Sequence, residues 1–273
     1  MKSFRTRTYE IYTEKLKGGQ SVKFAFLTDL HGLVYGNNNQ DLYSAVLEQD
    51  PAAVLVAGDM LVNQKNETLE AAAGFLSRLS EYIPIFYALG NHEYKMLLNP
   101  ESREQYLNYE RLLTSAGVCF LHNECICADF KGTDFVFHGL ELPIEYYHKP
   151  NSPKLKEEEL IHLIGRPTRP GIHILLAHNP KYGETYLSWG ADLILSGHYH
   201  GGILRLGENH GLTSPQYLLF PPYCCGRFQN GRSTMIVSAG LGEHTIPIRL
   251  HNPRELLMIE FCPSDKEKQE GKQ

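Results

Sequence analysis

Five short polar clusters in this chain carry side chains able to hold cations. They are Asp29-x-His31, Gly58-Asp59, Gly90-Asn91-His92-Glu93, His178-Asn179 and Gly197-His198-x-His200. Carboxylate, amide oxygen and neutral imidazole are ligands for Mn, Fe and Zn. The candidate ligands are Asp29, His31, Asp59, Asn91, His178, His198 and His200. Asp59 carries two carboxylate oxygens, which suits it to bridge two ions. Two ions roughly 3.5–4 Å apart clamp phosphoryl oxygens and lower the pKa of a bridging water. The resulting hydroxide would attack phosphorus in line, and the leaving alkoxide would need a proton or a positive partner. His92 is the candidate for that catalytic role, with Glu93 expected to hold its imidazole in one tautomer.

The elements that must position these side chains follow from the pattern around them. Lys23–Leu27, Ala52–Ala57, Ile83–Leu89, Ile172–Ala177 and Ala191–Ser196 are apolar runs, and each ends at one of the clusters. Nearly continuous apolar runs joined by helical stretches, here about 40–49 and 66–81, predict buried strands in βαβ units. Ligands of open α/β sheets gather beyond the carboxyl ends of strands. Clusters far apart in sequence are therefore expected to converge. Alternate residues leaving a strand point to one side, so Asp29 and His31 are expected to face one ion, and His198 and His200 to serve one ion each. Weaker strand signals lie at 7–16, 135–138, 234–239 and 256–261. One domain over residues 1–262 is expected, with 263–273 a disordered tail.

Most clusters alone are weak: Gly-Asp is a turn signal, and most Asp-x-His pairs are solvated surface, whereas Gly197-His198-x-His200-Gly201-Gly202 is stronger because two histidines flanked by glycines after a buried strand rarely serve packing. All five in this order resemble the five motifs of the calcineurin-like metallophosphoesterases, over about residues 8–261. The resemblance implies a first ion held by Asp29, His31, Asp59 and His200. It implies a second held by Asp59, Asn91, His178 and His198, with His92 the catalytic histidine. It also implies an α/β fold, an α/β/β/α sandwich of two mixed β-sheets flanked by helices. Ala177-His178-Asn179-Pro180, Gly201-Gly202, Gly226-Arg227-Phe228, Gly240-Leu241-Gly242 and Pro247-Ile248-Arg249 are similar to one bacterial branch. Some members of that branch hydrolyse a UDP-diacylglucosamine, and many carry an N-terminal membrane segment. No such segment is seen here, and Tyr199 stands where the branch often has threonine.

The expected activity is hydrolysis of a small-molecule or lipid-linked phosphoester, a diester in preference to a monoester, with two Mn, Fe or Zn ions. A phosphoprotein phosphatase is a second reading, weakened because Glu93, Tyr94 and Lys95 follow Asn91-His92 where an arginine would be wanted. A scaffold without catalysis is a third, but no ligand position is empty. The net charge of −5 argues against a basic nucleic-acid face. No run approaches the ~18 apolar residues of a spanning helix, and no signal peptide is read at the N-terminus. The six cysteines, including Cys125-x-Cys127 and Cys224-Cys225, fit reduced thiols of a cytoplasmic protein, with a peripheral membrane location left open. His138 and His244 are further candidates to approach the site, and Arg227 and Arg249 to meet a phosphate. The aromatic, proline-rich segments 143–150 and 217–225 are expected to shape the pocket or cover the second sheet.

Overall fold

The computed structural model describes residues 3–63, 66–149, 151–214, 218–243 and 248–264. The first half of the chain runs β1 (Arg5–Thr13), β2 (Val22–Leu27), α1 (Gln40–Leu47), β3 (Ala53–Ala57), α2 (Asn66–Ser80), β4 (Ile85–Ala88), α3 (Asn91–Leu98), α4 (Pro100–Ser115) and β5 (Val118–Phe120). The second runs β6 (Cys125–Phe130), β7 (Thr133–Leu140), α5 (Glu157–Ile164), β8 (Ile172–Ala177), α6 (Gly183–Trp189), β9 (Leu193–Ser196), β10 (Gly226–Asn230), β11 (Ser233–Val237) and β12 (Glu255–Pro263). Two six-stranded sheets result, ordered β1-β12-β2-β3-β4-β5 and β10-β11-β9-β8-β7-β6. Both are mixed: β12 pairs antiparallel with β2, β10 with β11 and β6 with β7, while the remaining pairs are parallel.

Strand side chains alternate between two cores, which is why these runs read as continuously apolar. Phe24, Phe26, Leu55 and Phe86 of the first sheet meet Phe135, Phe137, Ile174 and Leu195 of the second in the middle of the sandwich. The rings of Phe86 and Phe137 stack there with centroids 4.2 Å apart. The opposite faces are covered by helices. Leu42, Phe75, Leu76 and Tyr106 from α1, α2 and α4 lie over Val54, Val56 and Tyr87. Leu160, Tyr186 and Trp189 from α5 and α6 lie over Leu175, Ile194 and Val237. The order is thus helices, sheet, sheet, helices, as expected.

The weakly patterned 7–16 segment is the edge strand β1, in register with β12 from Arg5↔Glu255 to Thr13↔Pro263. That pairing carries β12 to Pro263, the residue where the tail was expected to start; 265–273 lie outside the described residues. α4 was missed because Tyr106, Tyr109 and Leu113 face the core while the other side is polar. Its start is nonetheless marked: Asn99 accepts the Glu101 N–H at 3.1 Å and Pro100 takes the first position, the usual grammar of a helix N-terminus.

Candidate metal centre

β2, β3, β8 and β9 end at Leu27, Ala57, Ala177 and Ser196, and β4 ends at Ala88. All five ends meet at one rim of the sandwich. The backbone there does not continue as strand. Asp29, His31, Asp59, His198 and His200 all adopt positive φ, between 49° and 65°. Each such residue costs on the order of 1–2 kcal/mol. Asp29 and His31 therefore converge through left-handed turns, not through the strand alternation expected from sequence, and Leu30 between them turns into the core. Close backbone approach completes the rim. At Gly58 (φ 77°) an added Cβ would sit 2.0 Å from the Gly90 nitrogen.

The candidate ligand atoms fall into groups. Asp29, His31 and His200 form one, and Asp59, His178 and His198 a second; His31, Asp59 and His92 form a third that joins them. Nε2 of His31 lies 3.1 Å from Nε2 of His200 and 3.8 Å from Asp29 Oδ1, and His200 Nε2 is 3.5 Å from Asp29 Oδ1. Two ligand atoms about 2.1 Å from a tetrahedral ion are separated by about 3.4 Å, so this spacing fits a shared ion. Asp59 Oδ2 lies 3.1 Å from His178 Nε2 and 3.8 Å from His31 Nε2, between the two groups. Oδ1 of buried Asn91 has no hydrogen-bond partner, and His178 Nε2 has none in acceptable geometry. Orphaned buried acceptors beside two carboxylates are what a bound cation would satisfy.

The electrostatics agree. Burial pushes the Asp29 carboxyl up to about 7 in the absence of a cation, with His178 opposing and Asp59 adding to the rise. For His178, burial disfavours the charged form, but the Asp59 and Asp29 carboxylates outweigh it and raise the ring to about 9. The rim therefore draws a positive charge onto the ligand side. His178 Nδ1 is 2.6 Å from the Ala57 carbonyl, which orients Nε2 inward as the remote nitrogen of a metal-binding imidazole usually does. His200 differs: the Arg249 guanidinium lies 3.2 Å from its Nδ1.

His92 starts α3 beside Asn91. Its Nδ1 accepts the Asn63 N–H at 3.0 Å, which leaves the ring proton on Nε2, 4.0 Å from Asp59 Oδ2. Burial lowers its pKa; the Asp59 charge opposes this, and Lys95, His178 and Lys149 reinforce it. Glu93 does not touch His92. Its carboxylate accepts the N–H groups of Asp59 (2.9 Å), Met60 (2.8 Å) and Gly90 (3.1 Å) and the Tyr87 hydroxyl (2.9 Å). The expectation that Glu93 orients the imidazole is wrong: it staples the ends of β3 and β4 together, and the backbone of Asn63 orients His92.

The other candidates lie elsewhere. His138 pairs with His173 at 2.9 Å and meets Trp189 edge-on behind the second sheet. Arg227 donates to the Glu10 carbonyl at the far sheet edge. Arg249 is no free phosphate ligand, because it donates to the carbonyls of Ala239 (2.9 Å) and Gly242 (2.7 Å) beside His200. His244 lies outside the described residues. Tyr199 is buried against Cys224 and Cys225, behind the ligand loop; no group of ligand atoms among the described residues includes a cysteine. Of the segment 143–150, Tyr147 does reach the site, its ring edge-on to His198 at 5.4 Å. Sequence gave no sign of Thr28, which donates to Asp29 Oδ2 at 3.1 Å. Nor did it flag Asn252, which donates to the carbonyls of His200 and Gly202, both at 2.6 Å.

Residues 22–202 match the family model described as calcineurin-like phosphoesterase. The chain belongs to the calcineurin-like phosphoesterases. Family members use a dinuclear divalent metal site. This phosphoesterase is 30% identical to "Phosphodiesterase YaeI" of Escherichia coli K12, over 88% of this chain and 82% of that protein. It is 28% identical to an uncharacterized metallophosphoesterase of Aquifex aeolicus, over 93% of this chain and 90% of that one. Among solved structures, a putative 5′-nucleotidase from Staphylococcus aureus shares the fold, with a TM-score of 0.53 and 14% identity, over 91% of this chain and 55% of that one. The phosphoesterase is thus a metal-dependent hydrolase, and none of its described helices is long and apolar enough to cross a membrane.

Proposed function

We propose that the protein is a phosphodiesterase, with residues 1–262 forming one catalytic domain. The observation that carries this is two donor groups, Asp29–His31–His200 and Asp59–His178–His198, joined by a third made of His31, Asp59 and His92. Asp29, His31, Asp59 and His200 would hold one ion, and Asp59, Asn91, His178 and His198 the other, with Mn, Fe or Zn suited to such O and N donors. Ions held there would supply Lewis-acid activation of water and neutralisation of phosphoryl charge. Asp59 lies between the two groups and would contribute to both ions. His92 presents Nε2–H to the same space and donates to the leaving oxygen. It does so by hydrogen bonding from a neutral ring that keeps its proton, because Asn63 N–H occupies Nδ1 and burial opposes a second proton. Tyr147 walls the side of His198, and Lys95 and Lys149 add positive field at the mouth. Preference for a diester is supported by the Escherichia coli relative's name.

The test is hydrolysis of bis(p-nitrophenyl) phosphate by the metal-replete protein, abolished by chelation and restored by manganese. Turnover of the monoester p-nitrophenyl phosphate should be slower. His92→Ala should retain metal and lose about 10²–10³-fold in kcat, the range of a lost hydrogen-bond donor to developing negative charge. Metal-replete protein inert towards every phosphoester would remove the proposal.

A further inference from the structure

Tyr147 stands at the metal rim on a short 3₁₀ turn, Ile144–Tyr147, that follows Pro143. The bonds Tyr146 N→Pro143 O (3.0 Å) and His148 N→Glu145 O (3.2 Å) set that turn. The Tyr147 ring is edge-on to His198 at 5.4 Å and tilted to His178 with centroids 6.4 Å apart. Both histidines belong to the donor group that includes Asp59. His92 stands at a different flank, edge-on to His31 at 4.9 Å.

The preceding residue holds the ring in place. The Tyr146 carbonyl accepts from the Tyr182 hydroxyl at 2.8 Å and from Asn179 Nδ2 at 3.3 Å. Asn179 follows His178 in the chain, and its Oδ1 accepts the Lys181 N–H at 3.2 Å. One amide thereby ties the aromatic turn to the loop that carries a candidate ligand. The Tyr146 ring packs edge-on against Tyr182 at 5.3 Å, and Tyr146, Asn179 and Tyr182 are all buried. A side chain supported in this way has little freedom left to lose when a substrate arrives.

The packing of the ring leaves its hydroxyl unexplained. The phenol oxygen makes no hydrogen bond to any described residue, and it is not one of the sealed polar atoms that lack a partner. Tyr147 is only 8% exposed, and that small opening includes the hydroxyl. A phenylalanine would wall His198 equally well. A phenol, protonated at neutral pH, can also donate.

We propose that Tyr147 is a catalytic residue whose hydroxyl donates to a non-bridging oxygen of the phosphoryl group at the rim. His92 serves the leaving oxygen from beside His31, and Tyr147 serves a phosphoryl oxygen from beside His178 and His198. Negative charge in phosphoryl transfer is spread over three equatorial oxygens. A donor already aimed at one of them stabilises that charge without reorganisation. This role rests on the ligand assignment and the place of His92 given above, and it is independent of the preference for a diester.

The experiment is Tyr147→Phe, which keeps the ring and its packing. In manganese-loaded protein, kcat on bis(p-nitrophenyl) phosphate should fall about 10–100-fold, the size of a hydrogen bond to a charged group. Metal content should stay at the wild-type level. Calorimetric titration with inorganic phosphate should show binding weakened about tenfold, a readout that needs no turnover. Across aryl phosphoesters of rising leaving-group pKa, the Tyr147→Phe loss should stay constant, whereas the His92→Ala loss should grow. Unchanged kcat together with unchanged phosphate affinity would overturn the proposal. So would loss of metal from Tyr147→Phe, which would make the hydroxyl a support of the ion site, or a loss that grew with leaving-group pKa. A wild type that cleaved only monoesters, with the same dependence on Tyr147, would sink the diester reading and uphold this one.

Discussion

Replacing Glu93 separates a structural staple from a partner of the catalytic ring. Oε2 accepts the N–H groups of Asp59 and Gly90, and Oε1 accepts the Met60 N–H and the Tyr87 hydroxyl. Glu93→Ala strands three buried backbone donors. At roughly 1–3 kcal/mol for each unsatisfied group, the loss is about 5 kcal/mol. Glu93→Gln keeps one oxygen. The Tyr87 hydroxyl can turn to accept from the new amide, so only one backbone donor is stranded. Relief of repulsion with Asp59, which helps raise the Glu93 carboxyl to about 7, offsets part of that. The expected cost is about 2 kcal/mol. Urea unfolding of both variants, with metal analysis on the same samples, reads the effect. The alanine variant should lose metal as well as stability, because the turn bearing Asp59 loosens. A Glu93→Ala protein with wild-type midpoint and metal content but collapsed turnover would refute this account and return Glu93 to His92.

Three further outcomes are expected. Arg249→Met should cost about 3 kcal/mol through the carbonyls it abandons and weaken retention of one ion; a raised KM at unchanged stability would instead mark Arg249 as a substrate ligand. Gly58→Ala should cost at least about 3 kcal/mol, from the left-handed backbone and the overlap with Gly90, and near-native unfolding would contradict the close approach. His122 lies between Glu110 (3.0 Å) and Glu141 (2.6 Å), and those hydrogen bonds raise its pKa to about 10. Its contribution to stability is therefore full below the unfolded value of about 6.5 and lost as pH rises through about 10. The stability gap between wild type and His122→Gln should narrow over that window, and a constant gap would show that the ring is not charged.

The legible part of this molecule lay in strand ends. A strand buried on both faces must be apolar throughout, so the sudden arrival of Asp, His and Asn beside glycine at Ala57 or Ser196 marks where burial stops and chemistry starts. Of the helices over the first sheet, α1 and α2 were legible and α4 was not, because it needs only a narrow apolar stripe against a neighbour that already supplies Phe75 and Leu76. Glu93 misled for a different reason. Adjacency in sequence suggested a partner for His92, but consecutive helix residues point about 100° apart, and a first-turn glutamate reaches back to the N-cap instead. Asn252 acts through carbonyls 50 and 52 residues away, and Arg249 meets the His200 ring 49 residues away, relations that no spacing rule encodes.

The donor atoms at the rim are drawn from both halves of the sandwich: Asp29, Asp59 and Asn91 from the first sheet, His178, His198 and His200 from the second. Ions seated among them would act as a removable cross-link between the sheets, closing a chain loop from Asp29 to His200. The closure entropy of so long a loop grows only slowly with its length, so the linkage is set mainly by how tightly the ions bind. Saturation at a hundred times the dissociation constant would add about 2.7 kcal/mol to the folded state. Chelation would then be a stress on folding as well as on catalysis, and the cell's supply of free divalent metal would set how long each copy of the protein survives.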